Sequence, residues 1–338
     1  MIVHQVLSGA GPHDAVTRQA LAIRERLTAW GWGGQDAAER IDPRVASRFV
    51  ALRALRPDPA DVLLVHWSAY APRLRTVLEG PSRTLLLSHN VTPAAWFWDV
   101  APAIAIHCAL GRRQLPALVA RADAAAGVSA FNAAELGSDL VIPIVFDPPP
   151  APAAGARRRE LLFVGRLTPH KRQDELIRLV ALLRRTGEPD LRLRLVGEPV
   201  TPAYLRLLQD HAERLAPGAV TFESGLDDDL LAERYRRASA FVCASEHEGF
   251  LIPLLEAFHH GVPVVARPHA AVPETAGDAA LLVPDPGLGV LAEAVRLVLR
   301  DGDLREELVG RGRIRLRDFE PQHALARLRT AILTIASD

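Results

Sequence analysis

The chain has 338 residues, 49% of them apolar and 24% charged, which is material for about two domains and not the composition of a disordered polymer. Its 40 basic residues balance 40 acidic ones, with a net charge of +1 over residues 1–150 and −1 over the rest, which argues against non-specific nucleic-acid binding as the main task. Cys108 and Cys243 are the only cysteines, with no CxxC pair and no zinc-like histidine spacing, so a disulfide scaffold and a zinc module are excluded.

In chain order, the predicted elements begin with a strand at 2–7 (IVHQVL), a glycine loop at 8–14 (SGAGPHD) and a helix from Ala15 to Trp30. Strands are predicted next at 61–67 (DVLLVHW), 84–89 (TLLLSH) and 103–108 (AIAIHC), then a helix over 110–122. Two further strands, 124–129 and 141–146 (VIPIVF), end this half. Apolar runs without alternation suit strands buried on both faces, and helices between them indicate a parallel sheet. The stretch 147–160 (DPPPAPAAGARRRE) cannot supply a core and reads as a linker. The pattern then restarts, with strands at 161–166, 191–197, 220–225, 240–245, 262–266 and 280–284. Helices are predicted between them at 171–185, 202–215, 228–237 and 253–260, and after them at 289–299. A last helix, 319–338, either finishes the second domain or crosses back to the first.

The expected fold class is therefore α/β: a Rossmann-like domain over 1–150, a linker over 151–160 and a second Rossmann-like domain over 161–318, with a cleft between them. Ligands in such sheets bind at the carboxyl ends of strands, so the loops there carry the candidates. No apolar run approaches the ~20 residues of a membrane helix, and the short apolar start is not expected to be a secretory signal, so the expected location is the cytoplasm.

Three loops can carry chemistry. Gly9-Ala10-Gly11-Pro12-His13-Asp14 follows the first strand, as a dinucleotide fingerprint would, but Asp14 fills the third glycine slot and Pro12 has no amide to donate. An ordinary tight turn and a close backbone approach to a ligand both remain open there. In Gly165-Arg166-Leu167-Thr168-Pro169-His170-Lys171 a strand runs straight into two cations near a helix start. Basic side chains there oppose the helix dipole and call for an anion or an acid nearby. A pyrophosphate suits both a bidentate guanidinium and a point charge. Lys171 is also the only lysine among the 40 basic residues.

The third loop, Ser245-Glu246-His247-Glu248-Gly249-Phe250-Leu251-Ile252-Pro253, leads into a helix that carries Glu256. Its first amides can face a phosphate or a sugar hydroxyl. Glu248 and Glu256 can grip hydroxyls on two parts of one extended ligand, whereas Glu246 reads as a helix-start acid. His259 and His260 end that helix, where a partly positive imidazole suits the dipole. Trp96, Phe97 and Trp98 must point different ways, so at most one or two can line a site.

These residues carry a resemblance. The segment 160–320 resembles the retaining, nucleotide-sugar-dependent glycosyltransferases of family 4, which have the two-domain GT-B fold. FVGRLTPHK (163–171), the pair Glu248/Glu256 within EGFLIPLLEA, GVPVVA (261–266) and Pro273-Glu274 occur in the family's order. The first half matches through the glycine loop and HNVTP (89–93), and the last helix resembles the family's helix that returns to the first domain.

The resemblance implies that Arg166 and Lys171 hold the donor pyrophosphate and that backbone at Gly11 approaches the distal phosphate. It gives Glu256 the ribose hydroxyls, and Glu248 the donor sugar with the amides of Phe250 and Leu251 beside it. It sets His89 against that sugar. His66, His13 and Asp14 are acceptor-side candidates. Two positions depart from the family: Leu251 stands where glycine is usual, so the backbone there is expected to avoid positive φ, and Ala270-Ala271 replace paired glycines.

The implied reaction is transfer of a hexosyl group from a nucleoside-diphosphate sugar, UDP before GDP, to a hydroxyl of a soluble small molecule or saccharide. Retention, no metal and no further cofactor are expected, as is no nucleic-acid partner. A peripheral membrane contact and the oligomeric state stay open. The alternatives are a phosphorylase or sugar-phosphate synthase on the same fold, or a non-catalytic nucleotide-sugar-binding protein.

Overall fold

The computed structural model describes residues 1–12, 14–150 and 158–337. His13 and most of the expected linker, 151–157, lie outside the described residues. The chain divides into two compact units. The first comprises Met1–Ala95, Pro102–Asp147 and Phe319–Asp338, and the second Trp96–Ala101 and Pro148–Asp318. The hexapeptide 96–101 therefore lies with the second unit, although sequence order places it in the first half.

The first unit is built on β1 (Val3–Leu7), β2 (Asp36–Ala38), β3 (Val50–Ala51), β4 (Val62–Trp67), β5 (Arg83–Ser88) and β6 (Ala124–Gly127). They form one parallel sheet in the order β3-β2-β1-β4-β5-β6. Helices α1 (Ala15–Ala29), α2 (Leu74–Leu78), α3 (Pro102–Val119) and α4 (Ala130–Glu135) connect it. The central strands β1 and β4 are buried along their whole length, as continuous apolar runs require.

Two strand expectations are corrected here. Residues 103–108 are the start of α3, not a strand. Pro102 opens that helix, and its inward positions, Ala105, Gly111, Leu115 and Leu118, follow the helical period and leave Ile106 exposed. Residues 141–146 make a single bridge, Val141 to Gly127, and no strand. Pro143 lacks the N–H that a continuing ladder needs.

The second unit holds β7 (Glu160–Val164), β8 (Arg192–Val196), β9 (Val220–Glu223), β10 (Ala240–Cys243), β11 (Val264–Ala266) and β12 (Leu281–Leu282). Its sheet is parallel throughout, in the order β12-β11-β10-β7-β8-β9. The helices are α5 (Gln173–Arg185), α6 (Pro202–Leu215), α7 (Asp228–Arg237), α8 (Ile252–His259), α9 (Val272–Ala276), α10 (Leu288–Arg300) and α11 (Gly302–Arg315). Helix α11 escapes the sequence reading because it buries only Leu308 and Gly312 and so shows no apolar stripe. Arg194 on β8 ties three strands together, bidentate to Glu160 at 2.9 Å and 2.9 Å and bonded to Glu223 at 2.5 Å. The last helix, α12 (Pro321–Ser337), packs on β5 within the first unit. Its Arg327 donates to the carbonyl of Val141 at 3.2 Å.

Both sheets are doubly wound, with the order reversing between β1 and β4 in one and between β7 and β10 in the other. Loops leaving two such neighbours diverge to opposite faces and open a crevice beyond the strand ends. Every candidate loop of the sequence reading lies at one of these two places.

Candidate functional site

In the second unit, the loop after β7 carries Arg166 and Lys171, and the loop after β10 carries Glu246 to Leu251. Four hydrogen bonds link the two loops. Lys171 Nζ donates to both carboxylate oxygens of Glu248, at 2.7 Å and 2.8 Å. Arg172 donates to Glu246, and the Glu246 amide to the carbonyl of His170 at 2.8 Å. Glu246, read as a helix-start acid, lies well before α8 and is the ion-pair partner of Arg172. Lys171 and Glu248, read as contacts to different parts of a ligand, are partners of one another, with side chains 14% and 7% exposed.

Arg166 differs. It is exposed, and among the described residues it makes no ion pair. It sits on a rigid base: its carbonyl accepts from the Gln173 amide at 3.1 Å, and Gly197 allows β8's loop to lie directly on Gly165, where an added Cβ would fall 2.1 Å from the Gly165 carbonyl oxygen. Lys171 lies close by, its Nζ 3.5 Å from where a Cβ on Gly165 would stand.

Helix α8 begins after Leu251, which holds φ 70 and ψ 61. The expectation that Leu251 avoids positive φ is therefore wrong. The backbone keeps the left-handed turn that glycine would take freely, and burial of the leucine side chain to 4% exposure offsets a strain of about 1–2 kcal/mol. Ala270 does the same with φ 53, and the next amide, of Ala271, donates to the Glu248 carbonyl at 3.2 Å. Phe250 is held from behind, its carbonyl accepting from Thr275 at 2.6 Å. One turn into α8, Glu256 accepts from the Tyr235 hydroxyl at 2.7 Å.

Two histidines of this unit are kept neutral. Burial, helped by Lys171, pushes the His170 pKa down to about 2. Its ring lies 5.7 Å from that of Phe97, the buried member of the aromatic triplet, whereas Trp98 is exposed. His260 stacks on Tyr235 and is pushed down to about 4, again by burial, so it is neutral at pH 7 and not the dipole-matching cation expected. Burial also raises the Cys243 thiol to about 11, and Cys108 is only half-buried; neither is bridged.

In the first unit, β1 and β4 lead to the other set of candidates. Asp14 caps α1, accepting from the Thr17 amide and hydroxyl at 2.8 Å each. The Gly11 amide, expected to meet a phosphate, donates to the Thr17 hydroxyl at 3.0 Å. A Cβ on Gly11 would still meet nothing within 4 Å, so the fold itself does not demand glycine there. His66 on β4 and His89 just beyond β5 are brought together, Nδ1 to Nε2, at 2.9 Å. Burial drives the His89 pKa down to about 3, and burial with the neighbouring imidazole lowers His66 well below the usual range. Sequence reasoning missed the third member of this group, Gln5, which accepts from His66 Nε2 at 2.9 Å. A glutamine inside a fully buried strand was the available signal.

Among the described residues, no group of three or more His, Cys, Asp or Glu is placed to hold a metal ion, and no helix is long and apolar enough to cross a membrane.

Comparison with known proteins fits this geometry. Residues 150–315 match the family Glycosyl transferases group 1. The second unit is thus similar to glycosyl transferases of that group, and the chain as a whole has the GT-B fold. It is similar to a D-inositol 3-phosphate glycosyltransferase of Kribbella flavida, 35% identical over 213 residues, covering 56% of this chain and 49% of that protein. It is also similar to the O-antigen chain mannosyltransferase B of Escherichia coli, 29% identical over 47% of this chain and 41% of that one. The chain thus spans about half or less of the curated relatives it matches. Among solved structures, sucrose-phosphate synthase from Thermosynechococcus elongatus shares the fold with a TM-score of 0.77, 19% identity and full coverage of both chains. The Anabaena protein HepE in complex with UDP and glucose does so at 0.75, with 15% identity over 98% of this chain and 99% of that one.

Proposed function

We propose that the chain is a retaining glycosyltransferase that moves a hexosyl group from a nucleoside-diphosphate sugar to a hydroxyl of a soluble small molecule or saccharide. The observation that carries this reading is the switch point of the second sheet, where the unpaired cation Arg166 stands on the same loop as the Lys171–Glu248 pair. In this reading the departing diphosphate draws Lys171 from Glu248 and meets Arg166, and the two charges stabilise it as the sugar–phosphate bond breaks. Glu248, released, turns to the sugar hydroxyls, and the amides of Phe250 and Leu251 lie at the start of α8 beside it. Glu256, with one oxygen held by Tyr235, takes the ribose. In the first unit, His89 meets the donor sugar and backbone at Gly11 the distal phosphate, whereas His66, Asp14 and His13 are the acceptor-side contacts.

The two basic side chains do the electrostatic work, and no metal or further cofactor is assigned. UDP is favoured as the nucleotide, in line with the Anabaena complex, and GDP comes next, in line with a similar mycobacterial mannosyltransferase described as GDP-mannose-dependent. The linker 151–160 separates a donor-binding domain, 161–318, from the acceptor domain. Two unbridged cysteines suit a cytoplasmic enzyme.

The test is calorimetry with UDP, GDP, ADP and dTDP on the wild type and on Lys171→Ala. Binding of one nucleotide that is lost in the variant is expected. A folded protein that binds none of the four, or one that turns over a sugar phosphate in inorganic phosphate without nucleotide, overturns the reading.

A further inference from the structure

The first unit contains a chain of hydrogen bonds whose direction can be worked out atom by atom. Its fixed end is Asp36, which receives Arg24 Nε at 2.9 Å and a second guanidinium nitrogen at 2.7 Å. Gln5 Nε2 lies 2.8 Å from the Ala20 carbonyl and 2.9 Å from Asp36 Oδ1. Both neighbours only accept, so this atom must be the NH2 group and the amide cannot be flipped. Gln5 Oε1 then faces His66 Nε2 at 2.9 Å, and because the oxygen only accepts, His66 Nε2 must carry a proton.

His66 is fully buried with no acid against its ring, so it is neutral and its Nδ1 is a bare lone pair. That lone pair lies 2.9 Å from His89 Nε2, which must therefore be the donor. A neutral His89 that donates at Nε2 has a bare Nδ1, and this Nδ1 is a buried atom without a partner among the described residues. Every bond of the series runs one way, from His89 through His66 and Gln5 to Asp36, so each donor polarises the next.

We propose that Gln5 and His66 are positioning residues that hold His89 in its Nε2–H tautomer, leaving Nδ1 as an obligatory acceptor for a hydroxyl of the sugar substrate. The proposal rests on the glycosyltransferase reading for the identity of the ligand, but not for the tautomer. It also sets specificity: Nδ1 takes a hydroxyl, which can donate, and rejects a carbonyl, phosphate or fluorine at the same place, which cannot. A ligand hydroxyl would give this lone pair the donor that it lacks among the described residues.

Nitrogen-15 spectra of the full chain with labelled histidine test it, since a bare and a protonated ring nitrogen resonate far apart; His89→Gln assigns the signals. Expected in the wild type are a protonated Nε2 and a bare Nδ1 on both His66 and His89. In His66→Phe the His89 ring loses its acceptor and should populate both tautomers, and His66→Asn, whose side-chain oxygen accepts, should restore the first. Addition of UDP-glucose should shift the His89 Nδ1 signal in the hydrogen-bonding direction. Replacing the contacted hydroxyl of the donor by fluorine should cost roughly tenfold in kcat/KM, one hydrogen bond's worth, and that penalty should shrink in His66→Phe. A protonated Nδ1 on wild-type His89 overturns the proposal, as does a His89 tautomer unchanged in His66→Phe. Should His66→Phe fail to fold, the wild-type spectrum still decides. Failure of UDP and GDP to bind in calorimetry strikes the glycosyltransferase reading and leaves the tautomer result standing.

Discussion

Breaking the Lys171–Glu248 pair separates its structural worth from its part in binding. At ~4 Å and an effective dielectric near 20, two unit charges attract by about 4 kcal/mol, which desolvation offsets in part. Lys171→Met leaves a carboxylate that is 7% exposed without its partner. Orphaning one member of a buried pair costs about 3–5 kcal/mol, and the 14% exposure of the lysine side chain puts this case at about 3. Glu248→Gln should cost less, about 1–2 kcal/mol, because the flexible lysine stem can carry its ammonium toward water. The double variant removes both charges, so it should recover about 2 kcal/mol relative to the sum of the singles. Urea unfolding of the full chain reads all three. Binding adds an opposite-sign outcome: Lys171→Met weakens UDP, whereas Glu248→Gln frees the ammonium and should tighten plain UDP about tenfold while lowering turnover. Strict additivity within about 0.5 kcal/mol, or a Glu248→Gln protein that binds UDP no better than the wild type, refutes the reasoning.

Other outcomes follow from single features. Arg166→Gln, at an exposed site without an ion pair, should change stability by less than about 0.5 kcal/mol and turnover by ~100-fold or more, and a kcat within a few-fold of the wild type would remove Arg166 from the chemistry. With the pKa values of His89 and His170 pushed down to about 3 and about 2, the native rings stay neutral while the unfolded chain takes up protons below ~6.5. Stability therefore rises with pH in this window; on acidification from ~6.5 toward 4 it should fall by about 2.7 kcal/mol per pH unit for the two groups, and equal urea midpoints at pH ~6.5 and ~5 would contradict neutral rings. Ala270→Gly relieves a φ of 53 and should stabilise by about 0.5–1 kcal/mol, while Ala270→Val should destabilise, both read by urea unfolding. Asp14→Ala should lose about 1 kcal/mol of capping energy; an unchanged acceptor KM would mark Asp14 as a cap alone, and a raised one as an acceptor contact as well.

What could be read from the residues follows the physics of each signal. Central strands such as VLLVHW and LLFVG are buried on both faces, so their apolar runs announce them, and the loops behind them could be singled out before any coordinates. The short strand β2 could not be found, because Asp36 and its neighbours look like loop until Arg24 and Gln5 are known to satisfy the carboxylate. The apolar run at 103–108 misled, since so short a run does not distinguish a strand from the first turns of a helix that Pro102 opens.

At the site, residue type was legible and pairing was not. Spacing places Lys171 and Glu248 on different loops, and only the adjacency of β7 and β10 brings their charges together. The same limit applies to backbone geometry. Leu251 and Ala270 argue on their face against left-handed turns, yet both adopt them at a strain of about 1–2 kcal/mol each, which burial offsets at Leu251. Absence of glycine thus misreported the turn, while its presence at Gly11, where a side chain would meet nothing, signals a demand the fold does not make. A glycine whose added Cβ would meet nothing, and a histidine lone pair without a donor among the described residues, lie at the carboxyl ends of the same sheet.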